Sequence, residues 1–101
     1  MLKHHYAPKK ELLFFENEID LKEIRDNDCF LLFDTYLKDI AQKKQFLLSE
    51  KGNFQEAASN LFPLLHQLDD SKHDRIMASS LPEIGLGRAI NDRLKKASSN
   101  F

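Results

Sequence analysis

The chain alternates short unbroken apolar blocks with charged stretches. Glu11-Leu12-Leu13-Phe14-Phe15 and Cys29-Phe30-Leu31-Leu32-Phe33 are each too short for a helix and show no polar alternation. Such runs predict strands covered on both faces, the habit of parallel sheets. Residues 45–49 (QFLLS) form a weaker third block, and residues 74–79 (DRIMAS) a fourth. Between them, residues 54–70 carry Phe54, Ala57, Ala58, Leu61, Leu65 and Leu68 at three- and four-residue spacing, which predicts a helix opened by Gly52-Asn53. Pro63 inside it removes a backbone donor and is expected to bend or break that helix. Residues 86–97 (LGRAINDRLKKA) predict a closing helix with Leu86, Ala89, Ile90 and Leu94 inward, and with Lys95 and Lys96 at the end that favours positive charge.

Two shorter helical stretches are expected on the strand connections. Asp20 can cap one over residues 21–25, with Leu21 and Ile24 on a shared face. Residues 36–44 (YLKDIAQKK) suit a turn or two of another. Strands alternating with helices imply an α/β fold, a Rossmann-like three-layer sandwich around a small, mostly parallel sheet of about four strands.

Length and composition narrow the function classes. The 101 residues suit one compact domain, and 42% hydrophobic with 31% charged residues is a globular composition. A net charge of −1 supplies no global field for nucleic acid or an acidic membrane. Paired lysines (Lys9-Lys10, Lys43-Lys44, Lys95-Lys96) stand among acids, so direct tRNA binding is not expected. One cysteine, Cys29, rules out an internal disulfide framework and suits a reducing compartment; as part of an apolar block it reads as core, not as a nucleophile. No secretory signal or spanning segment is visible, so the expected location is the cytoplasm.

Candidate chemistry is sparse. In open parallel sheets ligands meet the loops beyond the carboxyl ends of the strands. Those loops hold Asp34-Thr35, Ser49-Glu50 and Ser79-Ser80, and the turn Gly85-Leu86-Gly87-Arg88 opens the last helix. Glycines at a helix start let a ligand approach free N–H groups, and Arg88 adds charge, so Gly85, Gly87 and Arg88 are a candidate nucleotide or phosphate contact, with ATP or an adenylate as ligand. Two glycines alone also suit a tight packing turn. His4, His5, His66 and His73 lack metal-ligand spacing, and no serine sits in a nucleophile elbow, so neither a metal site nor a catalytic residue is expected.

Two segments carry a family resemblance. Residues 1–8 (MLKHHYAP) are similar to the linker motif P-G-M-x-x-x-H-Y-A-P of two-domain threonylcarbamoyl-AMP synthases of the Sua-five type. Met1, His5, Tyr6, Ala7 and Pro8 match it, and the chain begins at the motif's methionine. Residues 82–94 resemble that family's closing segment, P-x-x-G-x-G-x-A-I-x-x-R-L, through Pro82, Gly85, Gly87, Ala89, Ile90, Arg93 and Leu94.

The resemblance implies a division into a linker end, residues 1–10, and an accessory α/β domain, residues 11–101. In the family, threonine, bicarbonate and ATP are the substrates of a YrdC-like catalytic domain that makes threonylcarbamoyl-adenylate for tRNA t6A modification. By that resemblance this chain is an accessory or regulatory part, not an enzyme by itself, with no cofactor of its own. Its expected partner is the catalytic domain, in cis or in trans. The linker crosses the mouth of the catalytic pocket, so His5, Tyr6 and Pro8 are implied to help close it. The alternative is a small nucleotide-binding or protein-interaction module. Ser98-Ser99-Asn100 is similar to a short motif of the catalytic domain but lacks its context, and is taken as chance.

Overall fold

The computed structural model describes residues 7–100. Four strands, β1 (Glu11–Phe15), β2 (Asp28–Leu32), β3 (Gln45–Leu47) and β4 (Arg75–Ser79), form one sheet in the order β1-β4-β2-β3. Every pairing is parallel, with Leu13 opposite Met77, Phe30 opposite Met77 and Leu31 opposite Phe46. The expected α/β fold and parallel sheet are therefore present. β2 is buried at every position and β4 at all but its last: their apolar residues are covered on both faces, and the charged Asp28 and Arg75 that open them are buried as a pair.

The layers flanking the sheet are unequal. α1 (Phe54–Asp69) and α2 (Leu86–Ala97) cover one face, where Leu12, Phe14, Leu31 and Ile76 meet Leu61, Leu65, Ile90 and Leu94. On the other face, Phe30, Leu32 and Met77 are covered by the β1–β2 and β2–β3 connections through Ile19, Ile24, Leu37 and Ile40. Those connections hold single 3-10 turns at Leu21–Glu23 and Gln42–Lys44, where longer helical stretches were expected. Asp20 does cap the first, accepting the Lys22 N–H at 3.0 Å, but Leu21 turns outward with 68% exposure.

α1 runs unbroken through Pro63. The carbonyl that the proline leaves unpaired belongs to Ser59, one turn earlier on the exposed side, where water can satisfy it. Its N-terminus is fixed by Asn53, whose side chain accepts the Glu56 N–H at 2.7 Å. α2 has the expected bounds but a different inward face. Leu86 and Ala89 are exposed, and the buried stripe is Gly87, Ile90, Asn91, Leu94 and Ala97. The helix is rotated by the close contact of Gly87, where a Cβ would lie 2.1 Å from the Pro82 carbonyl oxygen.

Ser99 and Asn100 have a structural use. They lie along the open edge of β1: the Ser99 N–H donates to the Leu12 carbonyl at 2.7 Å, and the Asn100 side chain pairs with both backbone groups of Phe14 at 3.1 and 3.2 Å. A polar tail thus satisfies an edge that otherwise invites pairing with another chain.

Candidate functional site

Two regions of the surface are organised beyond what the core needs. The first is the entry to β1. Lys9 and Lys10 present their backbone N–H groups to the two carboxylate oxygens of Asp69 at 3.1 and 3.0 Å. The Lys10 ammonium donates to the carbonyls of Leu68, in the last turn of α1, and Ser71, just beyond it, at 2.7 and 2.6 Å, which places a cation at the C-terminal end of the helix. The half-buried Pro8 directly precedes this clamp. His5 and Tyr6 lie outside the described residues.

The second region is a crevice of about 540 Å³ at the carboxyl ends of β1, β2 and β4. Leu32, Leu37 and Pro82 give it apolar walls, while Glu18, Asp34, Thr35, Ser79 and Ser80 bring polar groups. Two buried polar side chains, Gln45 and Asn91, hold segments that border it, and a third, Arg75, braces the first connection from the far end of the sheet. Gln45 accepts the Leu37 N–H at 2.6 Å and donates to the Leu37 and Ile40 carbonyls at 3.2 and 2.8 Å. Asn91 accepts the Leu81 N–H and donates to the Leu81 carbonyl, both at 2.8 Å. Arg75 pairs in two bonds with Asp28, at 2.9 and 2.8 Å, and donates to the Glu23 carbonyl at 2.7 Å, which ties the first connection to the sheet.

The Asp28–Arg75 pair lies at the opposite, amino end of the sheet and is almost fully buried. Burial raises the Asp28 pKa, but the Arg75 hydrogen bond, the Arg25 N–H and the Arg75 charge outweigh it and hold the carboxyl below its ordinary value. Its hydrogen bond to Asp28 likewise raises Arg75. Cys29 is fully buried, and desolvation pushes its thiol up to about 12, so it sits in the core as expected. Desolvation and then the charges of Lys10 and Lys44 lower His73. Its ring packs edge-on against Phe46 at 6.4 Å. No group of three or more potential metal ligands occurs among the described residues.

Of the loops singled out in the sequence, Asp34-Thr35 and Ser79-Ser80 meet in the crevice, whereas Ser49-Glu50 stays apart beside Glu56 and Asn60. The Gly85–Arg88 turn also lies outside it. Gly85 takes φ +52°, a conformation that favours glycine, and its carbonyl receives the Arg88 and Ala89 N–H groups. Arg88 is an exposed side chain 3.7 Å from Glu83. Gly85 thus serves the backbone conformation of the turn, and Gly87 its close packing against Pro82. Lys10, Asp69, Gln45 and Asn91 had no signal in the hydrophobic pattern, because each is a polar residue whose partners are far along the chain or on loop backbone.

Comparison with known proteins agrees with this architecture. The family model for "Threonylcarbamoyl-AMP synthase, C-terminal domain" matches residues 1–99. The threonylcarbamoyl-AMP synthase of Pyrococcus abyssi is 30% identical over 102 aligned positions, covering 93% of this chain and 29% of that protein. The crystal structure of P. abyssi Sua5 complexed with L-threonine superposes with a TM-score of 0.67 at 30% identity, over 95% of this chain and 30% of that one. The chain thus spans about three-tenths of the length of these relatives.

Proposed function

The chain belongs to the family of threonylcarbamoyl-AMP synthase C-terminal domains, and from that premise we propose that it is the accessory domain of such a synthase, acting on catalysis through its first eight residues. The clamp at Lys9 and Lys10 carries this reading. A segment that closes a pocket in a neighbouring domain must leave its own domain in a defined direction, because a freely swinging tether spends most of its time elsewhere. Two backbone N–H groups on Asp69 and an ammonium on the Leu68 carbonyl of α1 fix that direction one residue after Pro8.

In this reading catalysis belongs to a YrdC-like domain, in the same chain or another, which condenses threonine, bicarbonate and ATP into threonylcarbamoyl-adenylate. His5 and Tyr6 lie over the bound adenylate, where an imidazole and a phenol can stack and hydrogen-bond while excluding water. Pro8 stiffens the approach by fixing its own φ. The domain itself performs no covalent step.

The test is kinetic. Pyrophosphate release by a YrdC-like catalytic domain, with threonine, bicarbonate and ATP, is followed alone and with a stoichiometric excess of this chain. A lower KM for threonine or a changed kcat on addition supports the reading, and identical kinetics refute action in trans. The same comparison with the two domains joined in one chain tests action in cis.

A further inference from the structure

We propose that the crevice at the carboxyl ends of β1, β2 and β4 binds a phosphate-free nucleoside, with Asp34 accepting hydrogen bonds from its ribose hydroxyls. The site is separate from the entry segment and does not depend on the catalytic reading above.

Topology creates the opening. The connections leaving β1 and β2 cross one face of the sheet, where Ile19 and Leu37 pack, while the connection leaving β4 turns to α2 on the other face. β4 lies between β1 and β2, so the departing loops part above it. That is the position at which open parallel sheets bind ligands. A volume of about 540 Å³ is ample for a nucleoside. The walls are fixed before any ligand arrives, because Gln45 holds the 37–40 segment and Asn91 holds Leu81.

The lining selects among ligands. Leu21, Leu37 and Pro82 offer apolar surface for a flat base. Asp34 follows the end of β2, about twenty positions beyond the end of β1, the placement at which dinucleotide-binding folds carry their ribose-binding acid. The Thr35 hydroxyl donates to Asp34 Oδ1 at 3.0 Å and orients the carboxylate. The Ser79 hydroxyl lines the same space from the end of the central strand β4.

A phosphate is a poor fit. Among the described residues around the opening, Glu18, Asp34 and Asp39 face one cation, Lys38. The segment after β1, Glu16-Asn17-Glu18-Ile19-Asp20, has no glycine to bring backbone N–H groups close to a phosphate and carries three acids. Diol recognition without a phosphate cradle leaves the nucleoside as the ligand class.

The experiment uses the complete 101-residue chain and amide chemical shifts read during titration. Adenosine at millimolar concentration is expected to shift the amides of Asp34, Thr35 and Ser80. 2′,3′-Dideoxyadenosine is expected to bind about tenfold more weakly, since it lacks hydroxyls that hydrogen-bond a charged acceptor. ATP is expected to bind more weakly than adenosine. D34N should show a similar loss with an unchanged spectrum elsewhere, because Asp34 is exposed; S79A, at the end of the neighbouring strand β4, should also weaken binding. Absence of shifts with adenosine, equal binding of the dideoxy compound, unaltered binding by D34N, or tighter binding of ATP would each overturn the proposal.

Discussion

Asp69 and Lys10 hold each other from both ends: the carboxylate accepts the Lys10 backbone N–H at 3.0 Å, while the Lys10 ammonium donates to the Leu68 carbonyl beside Asp69 at 2.7 Å. The partners are fifty-nine positions apart, so the start of the domain is fastened to the end of its longest helix. The segment similar to the family's linker motif therefore departs from a fixed point.

Removing that fastening should loosen the entry segment before it damages the fold. D69A loses two hydrogen bonds to a charged acceptor at a partly exposed site, worth about 1–2 kcal/mol. Hydrogen exchange is expected to show the Lys9 and Lys10 amides losing protection while β4 amides keep theirs apart from the global shift. Retained protection at both lysines would mean the clamp is ornamental.

The Asp28–Arg75 pair sets an acid limit on stability. Its carboxyl is lower in the folded state than in the unfolded chain, so its contribution is complete above the unfolded carboxylate range and is lost as pH falls through the folded value. R75A leaves a buried carboxylate unpaired and is expected to cost about 3–5 kcal/mol in urea denaturation at neutral pH. The double variant D28L/R75M should recover most of that loss. A double variant as unstable as R75A would show that the surrounding backbone bonds, not the pair, carry the energy.

Cys29 should be silent to thiol reagents. Burial raises its thiol to about 12, against an ordinary value of 9.0, so the native state holds neither thiolate nor access. At mildly alkaline pH labelling is expected at the rate of global opening, and to become immediate in denaturant. As pH rises past the unfolded thiol's range, ionisation of the unfolded chain lowers stability, because the folded value is the higher one.

Gly87 is required by space. A Cβ there would meet the Pro82 carbonyl oxygen at 2.1 Å and the Phe54 ring at 3.1 Å, so G87A forces α2 off the sheet and should cost about 3 kcal/mol. Denaturation of G87A beside R88A checks this. R88A changes an exposed side chain and should lie within about 0.5 kcal/mol of the parent. A mild G87A would mean that the Pro82 turn shifts freely.

The legible and illegible parts of this fold divide along a physical line. β1, β2, β4 and the bounds of α2 follow from local pattern, since an unbroken apolar block has to be covered wherever it lies. The order of the strands depends on which neighbour each block meets, and that information is non-local. Asp34-Thr35 and Ser79-Ser80 were legible as site loops because strand ends were, but only the insertion of β4 between β1 and β2 brings them together. Ser49 was an equal candidate and stays outside because β3 lies on the far side of β2 from β4, above which the crevice opens. Gln45 and Asn91 were invisible, as hydrophobic periodicity assigns polar residues to solvent while these are buried for their hydrogen bonds to loop backbone. The rotated face of α2 has the same origin: Gly87 and Asn91 face inward for contact and hydrogen bonding, not for hydrophobicity.

Changing His5 and Tyr6 alone separates the linker motif from the rest of the domain. The chain with H5A and Y6A is compared with the parent chain for its effect on pyrophosphate release by a YrdC-like catalytic domain. The double variant is expected to keep the parent's stability and to lose its influence on threonine KM and kcat. A double variant that alters the kinetics as fully as the parent would contradict that expectation, and would move the domain's influence from the linker motif to another surface.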